Sequence, residues 1–252
     1  MVQYAGISDK EKIEKEMPFE KRISAKTVYS QLHQTADRFP DKSAISFQLK
    51  SGPSDPSETL TWSELKGQVT QTANALRSLG VGENDVVAYV LPNCTEAIVT
   101  FLAGTSAGIV CPISPLLDPE QMGNILREVN AKVVVTLKSF PKTDVAQRVN
   151  EALEIAPNVT TLIEIDLKRY LTPPLKWIVG LLRPKSQVKH SAEIREFYEV
   201  ILQENKLKLD FSESETDRIG ACFHTGGTTG TPKIAQHSVN GMLYNGWGLL
   251  SV

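Results

Sequence analysis

The sequence predicts an α/β fold, a mostly parallel sheet flanked by helices, and three observations predict it. Apolar strand candidates alternate with helical stretches between residues 85 and 165. Runs such as Val133-Val134-Val135 are apolar on both faces, which suits parallel strands covered by helices on either side. Strand–helix–strand repetition at this interval reads as βαβ units. A chain of 252 residues with 41% hydrophobic and 22% charged residues can bury a real core. That composition excludes collagen-like, coiled-coil and wholly disordered classes.

Residues 1–26 are highly charged and read as a loosely held arm without the apolar centre of a secretory signal. An α/β subdomain is expected over 27–210. Val28, Leu32, Ala36 and Phe39 have the spacing of one helix face, and Pro40 stops it. Ser43–Leu49 alternates like a strand, and Ser51–Pro56 reads as a loop. Ser63 is placed to cap a helix that turns Leu65, Val69, Ala73, Leu76 and Leu79 inward and closes at Gly80. Strands follow at Asp85–Leu91, Ile109–Ile113, Ala131–Leu137 and Val159–Ile165. The helices between them are Asn93–Ala107, Asp118–Asn130 and Lys142–Ala156. The middle helix opens with Asp118 as cap, Pro119 in the first turn and Gln121 closing a capping box.

Residues 166–190 break the rhythm. Six basic residues (Lys168, Arg169, Lys176, Arg183, Lys185, Lys189) against Asp166 alone give this stretch +5, hidden within a formal total of −2. Leu175, Ile178, Val179 and Leu182 share one helical face. That helix is too short to span a bilayer. Two readings stay open: an interfacial helix in peripheral contact with a membrane, and a surface excursion whose apolar face docks on the domain. The second is preferred for so short a helix. A helix is expected to resume from about Ala192 to Glu204.

The near-neutral total gives no electrostatic footprint for nucleic acid. Cys94, Cys111 and Cys222 are odd in number and form no Cys-x-x-Cys, so neither a disulfide framework nor a zinc site is indicated. A reducing, cytoplasmic setting is expected.

The informative stretch lies in 211–252, where a strand is expected at Ile219–Phe223. It runs into His224-Thr-Gly-Gly-Thr-Thr-Gly-Thr-Pro-Lys233. Gly226, Gly227 and Gly230 let the backbone turn tightly and point N–H groups at an anion. Thr225, Thr228, Thr229 and Thr231 supply hydroxyls that can donate to phosphate oxygens or approach a metal. Lys233 adds a mobile positive charge. This is a polyphosphate cradle, but not the common P-loop, because Thr231-Pro232 separates Gly230 from the lysine. Cys222 and His224 share a strand face at i, i+2, which raises a Cys–His nucleophile. A phosphate-loop strand explains both positions without one.

Thr225–Lys233 resembles the phosphate-loop signature of the adenylate-forming enzymes, which include the acyl-CoA synthetases, luciferases and peptide-synthetase adenylation domains. The resemblance extends upstream through Thr59–Leu65, Val86–Asn93, Phe101–Ala107 and Cys111–Leu117. The Thr-Gly-Gly variant and the basic excursion look most like fatty acyl-CoA synthetases. The resemblance implies an enzyme that joins a carboxylic acid to ATP, releases pyrophosphate and passes the acyl group to coenzyme A. It implies Thr225, Gly226, Gly227, Thr228, Thr229, Gly230 and Lys233 as binders of the β- and γ-phosphates, with Lys233 also catalytic and Thr225 also toward Mg²⁺. Ile234 stands where family members usually carry glycine, and Val239 where they usually place histidine, while His237 lies two places earlier.

In that family an acidic metal ligand, a ribose-gripping aspartate and a mobile-domain lysine lie downstream of the loop. The sequence is therefore expected to be the N-terminal part of a longer synthetase, inactive by itself, with a C-terminal remainder missing. Gly241–Leu250 is expected to open a buried helix of an incomplete second subdomain. The alternative is a non-catalytic nucleotide-binding or scaffolding module that kept the loop and lost the chemistry.

Overall fold

The charged segment expected as a loose arm is helical, forming α1 (Ile7–Glu16) and α2 (Phe19–Arg22) in the computed structural model. The structure describes residues 6–50, 52–53, 55–184, 188–225 and 233–250. The Phe19 ring meets Tyr244 edge-on, with centroids 4.9 Å apart, and Arg22 lies over the Trp247 ring. These contacts fasten the N-terminal segment to the last helix.

α3 (Val28–Arg38) begins at Thr27, whose hydroxyl accepts the Ser30 N–H while Ser30 Oγ accepts the Thr27 N–H. β1 (Ser43–Gln48) and β2 (Ser57–Thr61) pair antiparallel as a separate two-stranded sheet. α4 (Trp62–Ser78) is capped by Thr61, not by Ser63. Thr61 and Glu64 form a reciprocal capping box, which satisfies two otherwise orphan N–H groups. Gly80, with φ of 82°, closes the helix in the left-handed conformation that glycine adopts without penalty.

The main sheet is built from β3 (Val86–Val90), α5 (Thr95–Ala107), β4 (Ile109–Pro112), α6 (Pro119–Glu128), β5 (Ala131–Leu137), α7 (Val145–Ile155) and β6 (Thr161–Ile165). A 3₁₀ turn (Leu167–Tyr170), α8 (Leu175–Leu182), β7 (Glu193–Glu196) and α9 (Phe197–Ile201) follow. β8 (Ile219–His224), β9 (Ile234–Ser238) and α10 (Val239–Leu250) end the described chain. Among the described residues the sheet has seven strands in the order β7-β6-β5-β3-β4-β8-β9, and every neighbouring pair is parallel except β8 and β9.

The chain steps from β3 to β4 in one direction and from β4 through β5 to β6 in the other. Right-handed crossovers of opposite direction place their helices on opposite faces. Accordingly α5 packs with α3 and α4, while α6 packs with α7. Val133, Val134 and Val135 are fully buried between the two layers. Gly123 brings α6 onto α7, since a Cβ there would sit 2.8 Å from both the Ala152 carbonyl oxygen and Ile155 Cβ.

Two expected elements differ. The helix anticipated from Ala192 starts late, because Glu193–Glu196 pairs in parallel with Thr161–Glu164 as edge strand β7. Charged residues alternating on an exposed edge carry no apolar periodicity to announce a strand. The α8 face also does not dock: of Leu175, Ile178, Val179 and Leu182, only Val179 is buried. The base of this excursion is nevertheless fixed. Fully buried Glu96, in the first turn of α5, accepts the hydroxyls of Tyr170 at 2.9 Å and Tyr198 at 2.8 Å and one N–H of Arg169 at 3.3 Å. Arg169 also grips Glu58 through two nitrogens, at 2.7 and 3.1 Å.

From the β7 edge the chain returns over α4 to reach β8. Asn74 fastens this return, its amide donating to the Asn205 and Lys208 carbonyls at 3.0 Å and accepting the Asp210 N–H at 2.9 Å.

Candidate functional site

β8 delivers the glycine- and threonine-rich loop to the carboxyl edge of the sheet. It lies beside β4, with Val110 opposite Ala221, and turns back into β9, with His224 opposite Ile234. After β4 the chain crosses toward β5, whereas after β8 it goes outward to β9. Carboxyl ends from which connections leave in opposite directions form the crevice where open α/β sheets bind ligands.

Contacts at both ends aim the strand. Arg218, immediately before β8, donates through Nη2 to the Thr105 carbonyl at 2.6 Å and through Nη1 to the Gly108 carbonyl at 2.8 Å. It thereby satisfies carbonyls at the C-terminal end of α5, which also attracts its positive charge. Its Nε faces Glu83 at 3.3 Å. At the other end of the strand, His224 Nε2 accepts the N–H of Ser114, just after β4, at 3.3 Å. An accepting Nε2 leaves the imidazole proton on Nδ1, and burial lowers the His224 pKa. Both features describe a neutral ring that ties the two carboxyl ends together.

The loop itself is closed at its neck. Thr225 N–H donates to the Lys233 carbonyl at 2.8 Å, and Lys233 N–H donates to Thr225 Oγ1 at 3.2 Å. Both residues are exposed. Of the sequence-derived site residues, Thr225 and Lys233 are therefore brought together. Gly226, Gly227, Thr228, Thr229 and Gly230 lie outside the described residues, as do Thr231 and Pro232. Thr225 Oγ1 keeps one lone pair beyond the one that faces the Lys233 N–H, so it can still approach a cation. Among the described residues no cluster of three or more His, Cys, Asp or Glu could hold a metal ion.

The Cys–His pairing does not form. His224 is engaged with Ser114, no described hydrogen bond joins it to Cys222, and burial raises the Cys222 pKa, against formation of the nucleophilic thiolate. His237 stands opposite Ala221 on β9, its ring edge-on to Phe223 at 5.1 Å. α10 starts under Ser238, whose hydroxyl accepts the Gly241 N–H at 3.1 Å. Among the described side chains of α10, Val239 and Leu243 are buried. An apolar cleft of about 650 Å³ opens between α3, α5 and α10, lined by Val28, Trp62, Phe101, Met242 and Leu243.

Sequence reasoning missed Arg218 and Ser114. A lone arginine directly before an apolar strand was the available signal for the first. The second acts through its backbone and leaves no trace in residue type.

The chain matches the family described as AMP-binding enzyme over residues 32–251. It is 30% identical over 237 residues to a long-chain-fatty-acid–CoA ligase of Bacillus subtilis, covering 91% of this chain and 40% of that protein. It is 27% identical over 248 residues to a marinolic acid–CoA ligase of a Pseudoalteromonas species, covering 98% of this chain and 34% of that one. The chain thus spans between a third and two fifths of the length of these curated relatives. In fold it is similar to the crystal structure of the anthranilate CoA ligase AuaEII in complex with anthranoyl-AMP. That match has a TM-score of 0.61 at 20% identity and covers 84% of this chain and 34% of that one. With its family match spanning most of its length and its loop at the carboxyl edge of a parallel sheet, the chain belongs to the AMP-binding enzyme family.

Proposed function

We propose that this chain is the N-terminal part of an acid–thiol ligase that activates a carboxylic acid, a fatty acid in our reading, with ATP. A carboxylate oxygen attacks the α-phosphorus, the bond to the β-phosphate oxygen breaks, and pyrophosphate leaves. The thiol of coenzyme A then attacks the acyl carbonyl, loses its proton, and AMP leaves. The observation that carries the reading is the Thr225–Lys233 neck, which closes a Gly/Thr-rich loop at the sheet crevice. Phosphoryl chemistry needs positioning and charge stabilisation more than covalent help. In this reading Thr225, Gly226, Gly227, Thr228, Thr229 and Gly230 hold the β- and γ-phosphates. Lys233 adds its charge, and Thr225 shares Mg²⁺ with them. The apolar cleft beside α10 supports an acyl substrate of low polarity. The work is cytoplasmic, with membrane contact confined to the periphery.

Acid-dependent ATP–pyrophosphate exchange by the full-length protein tests this, with acids from acetate to palmitate. Exchange that is greatest with long acids is the expected result, and the 252-residue chain alone is expected to give none. Absence of exchange with every acid would instead assign a non-catalytic nucleotide-binding module.

A further inference from the structure

The excursion between β6 and β7 presents its apolar side chains outward. In α8, Trp177 is 69% exposed, Leu181 88% and Leu182 63%, with Leu175 and Ile178 near 40%, and Val179 alone points inward. Spacings of three and four residues put 175, 178 and 182 in one row and 177 and 181 in the next. The outer surface of the helix is thus a continuous apolar face. A Cβ added at Gly180 would meet nothing within 4 Å, so no neighbouring element covers that point.

The excursion itself carries net positive charge, and Asp55, before β2, lines a small cleft beside Leu175 at its base. Asp166 is occupied by Arg183, which donates to both its oxygens at 2.8 and 3.0 Å. Arg169 is held by Glu58 and Glu96, and Lys189 by Glu154 at 3.7 Å. Lys168 and Lys176 have no carboxylate within ion-pair distance among the described residues, and no Asp or Glu occurs from 167 to 192. A second copy docked by a two-fold axis would set these lysines against one another. A helix of roughly 12 Å also offers far less than the ~800 Å² per partner of a stable protein interface. A lipid surface asks for no matching shape: it takes up apolar side chains and attracts cations at the headgroups.

We propose that α8 is an interfacial anchor for anionic phospholipid bilayers. Trp177, Leu181 and Leu182 enter the headgroup–acyl boundary, and Lys168 and Lys176 meet lipid phosphates. The anchor lies on the bilayer and does not cross it; no described helix is long and apolar enough to do so. The Glu96 cluster and the Arg183–Asp166 pair hold the excursion in the orientation that presents this face. This inference specifies the peripheral contact included in the reading above and shares none of its chemistry.

The test is co-sedimentation of the full-length protein with vesicles of phosphatidylcholine alone and of phosphatidylcholine with phosphatidylglycerol. Binding to the anionic vesicles is expected, with a blue shift of Trp177 emission that Trp177→Ser abolishes. Trp177→Ser combined with Leu181→Ser is expected to weaken binding at least about tenfold, with an unchanged melting temperature because both residues are exposed. Lys168→Gln and Lys176→Gln are each expected to weaken anionic binding about fivefold. Equal pelleting of wild type and the double serine variant overturns the proposal. So does absence of binding to either vesicle, or a concentration-dependent dimer in sedimentation velocity that the double variant abolishes. Pyrophosphate exchange is read separately, so vesicle binding without exchange refutes the ligase reading alone, and exchange without vesicle binding refutes the anchor alone.

Discussion

Thr225 and Lys233 are joined by two main-chain donors, one to the Lys233 carbonyl at 2.8 Å and one to Thr225 Oγ1 at 3.2 Å. The pair sets the width of the neck while leaving the lysine ammonium outside it. The backbone of Lys233 is thus structural, and its side chain remains available to an anion.

Lys233→Ala in the full-length protein therefore tests charge without breaking the neck. Losing a charge-assisted contact worth about 1.5–3 kcal/mol predicts a 10- to 100-fold lower kcat/KM for ATP. Thr225→Ser keeps the acceptor oxygen and should retain most activity. Pyrophosphate-exchange kinetics on both variants check this, and unchanged ATP kinetics in Lys233→Ala would remove Lys233 from the site.

The link between His224 and Ser114 should respond to acid. Burial holds the His224 pKa below its ordinary 6.5. In the unfolded chain the same ring takes up a proton first. Its contribution is therefore complete above about pH 6.5 and is lost as pH falls through the lower folded value. Urea midpoints at pH 7.5 and 5.5 should fall with acid for the wild type and fall less for His224→Gln. Some acid sensitivity is expected to persist, because burial also lowers the pKa of His190.

Arg218 carries four donor contacts to carbonyls of α5, Gly108 and β8. Arg218→Met leaves those acceptors without their charged partner and should cost about 2–4 kcal/mol. Arg218→Lys should recover part of it. Denaturant titration reads the ordering, and a loss under about 0.5 kcal/mol in the methionine variant would contradict it.

Glu96 is the centre of a buried network and should behave as one unit. Glu96→Ala leaves the guanidinium of Arg169 short of one partner and two tyrosine hydroxyls without acceptors, predicting a loss of about 3–5 kcal/mol. Tyr198→Phe removes one hydrogen bond, about 1–2 kcal/mol. A double-mutant cycle between positions 96 and 198 should show non-additivity, since each residue's loss is partly counted in the other's.

Much of the sheet is legible in the sequence because its central strands announce themselves. Val133–Val135 are apolar on both faces, and Asp118-Pro119 with Gln121 mark where α6 starts. β7 is hidden because Glu193–Glu196 owes its extended form to pairing with β6, about thirty residues away. Periodicity also finds the stripe on α8 without saying which side faces out, and that decision falls to Arg169 and Glu96, distant in sequence. The loop is recognisable from composition alone. What aims it, a bond between Ser114 and His224 across 110 positions, belongs to the tertiary fold.

The β8–β9 hairpin has a second consequence, for solubility. Without it β4 would be the rim of the sheet, offering unpaired backbone groups and the wholly buried Cys111 to any passing strand. The hairpin replaces that rim with Ile234–Ser238, where Gln236 is exposed and His237 and Ser238 are polar. The segment that frames the Gly/Thr-rich loop therefore also covers the backbone of β4, and lesions that loosen the hairpin should be felt as precipitation through that bared edge.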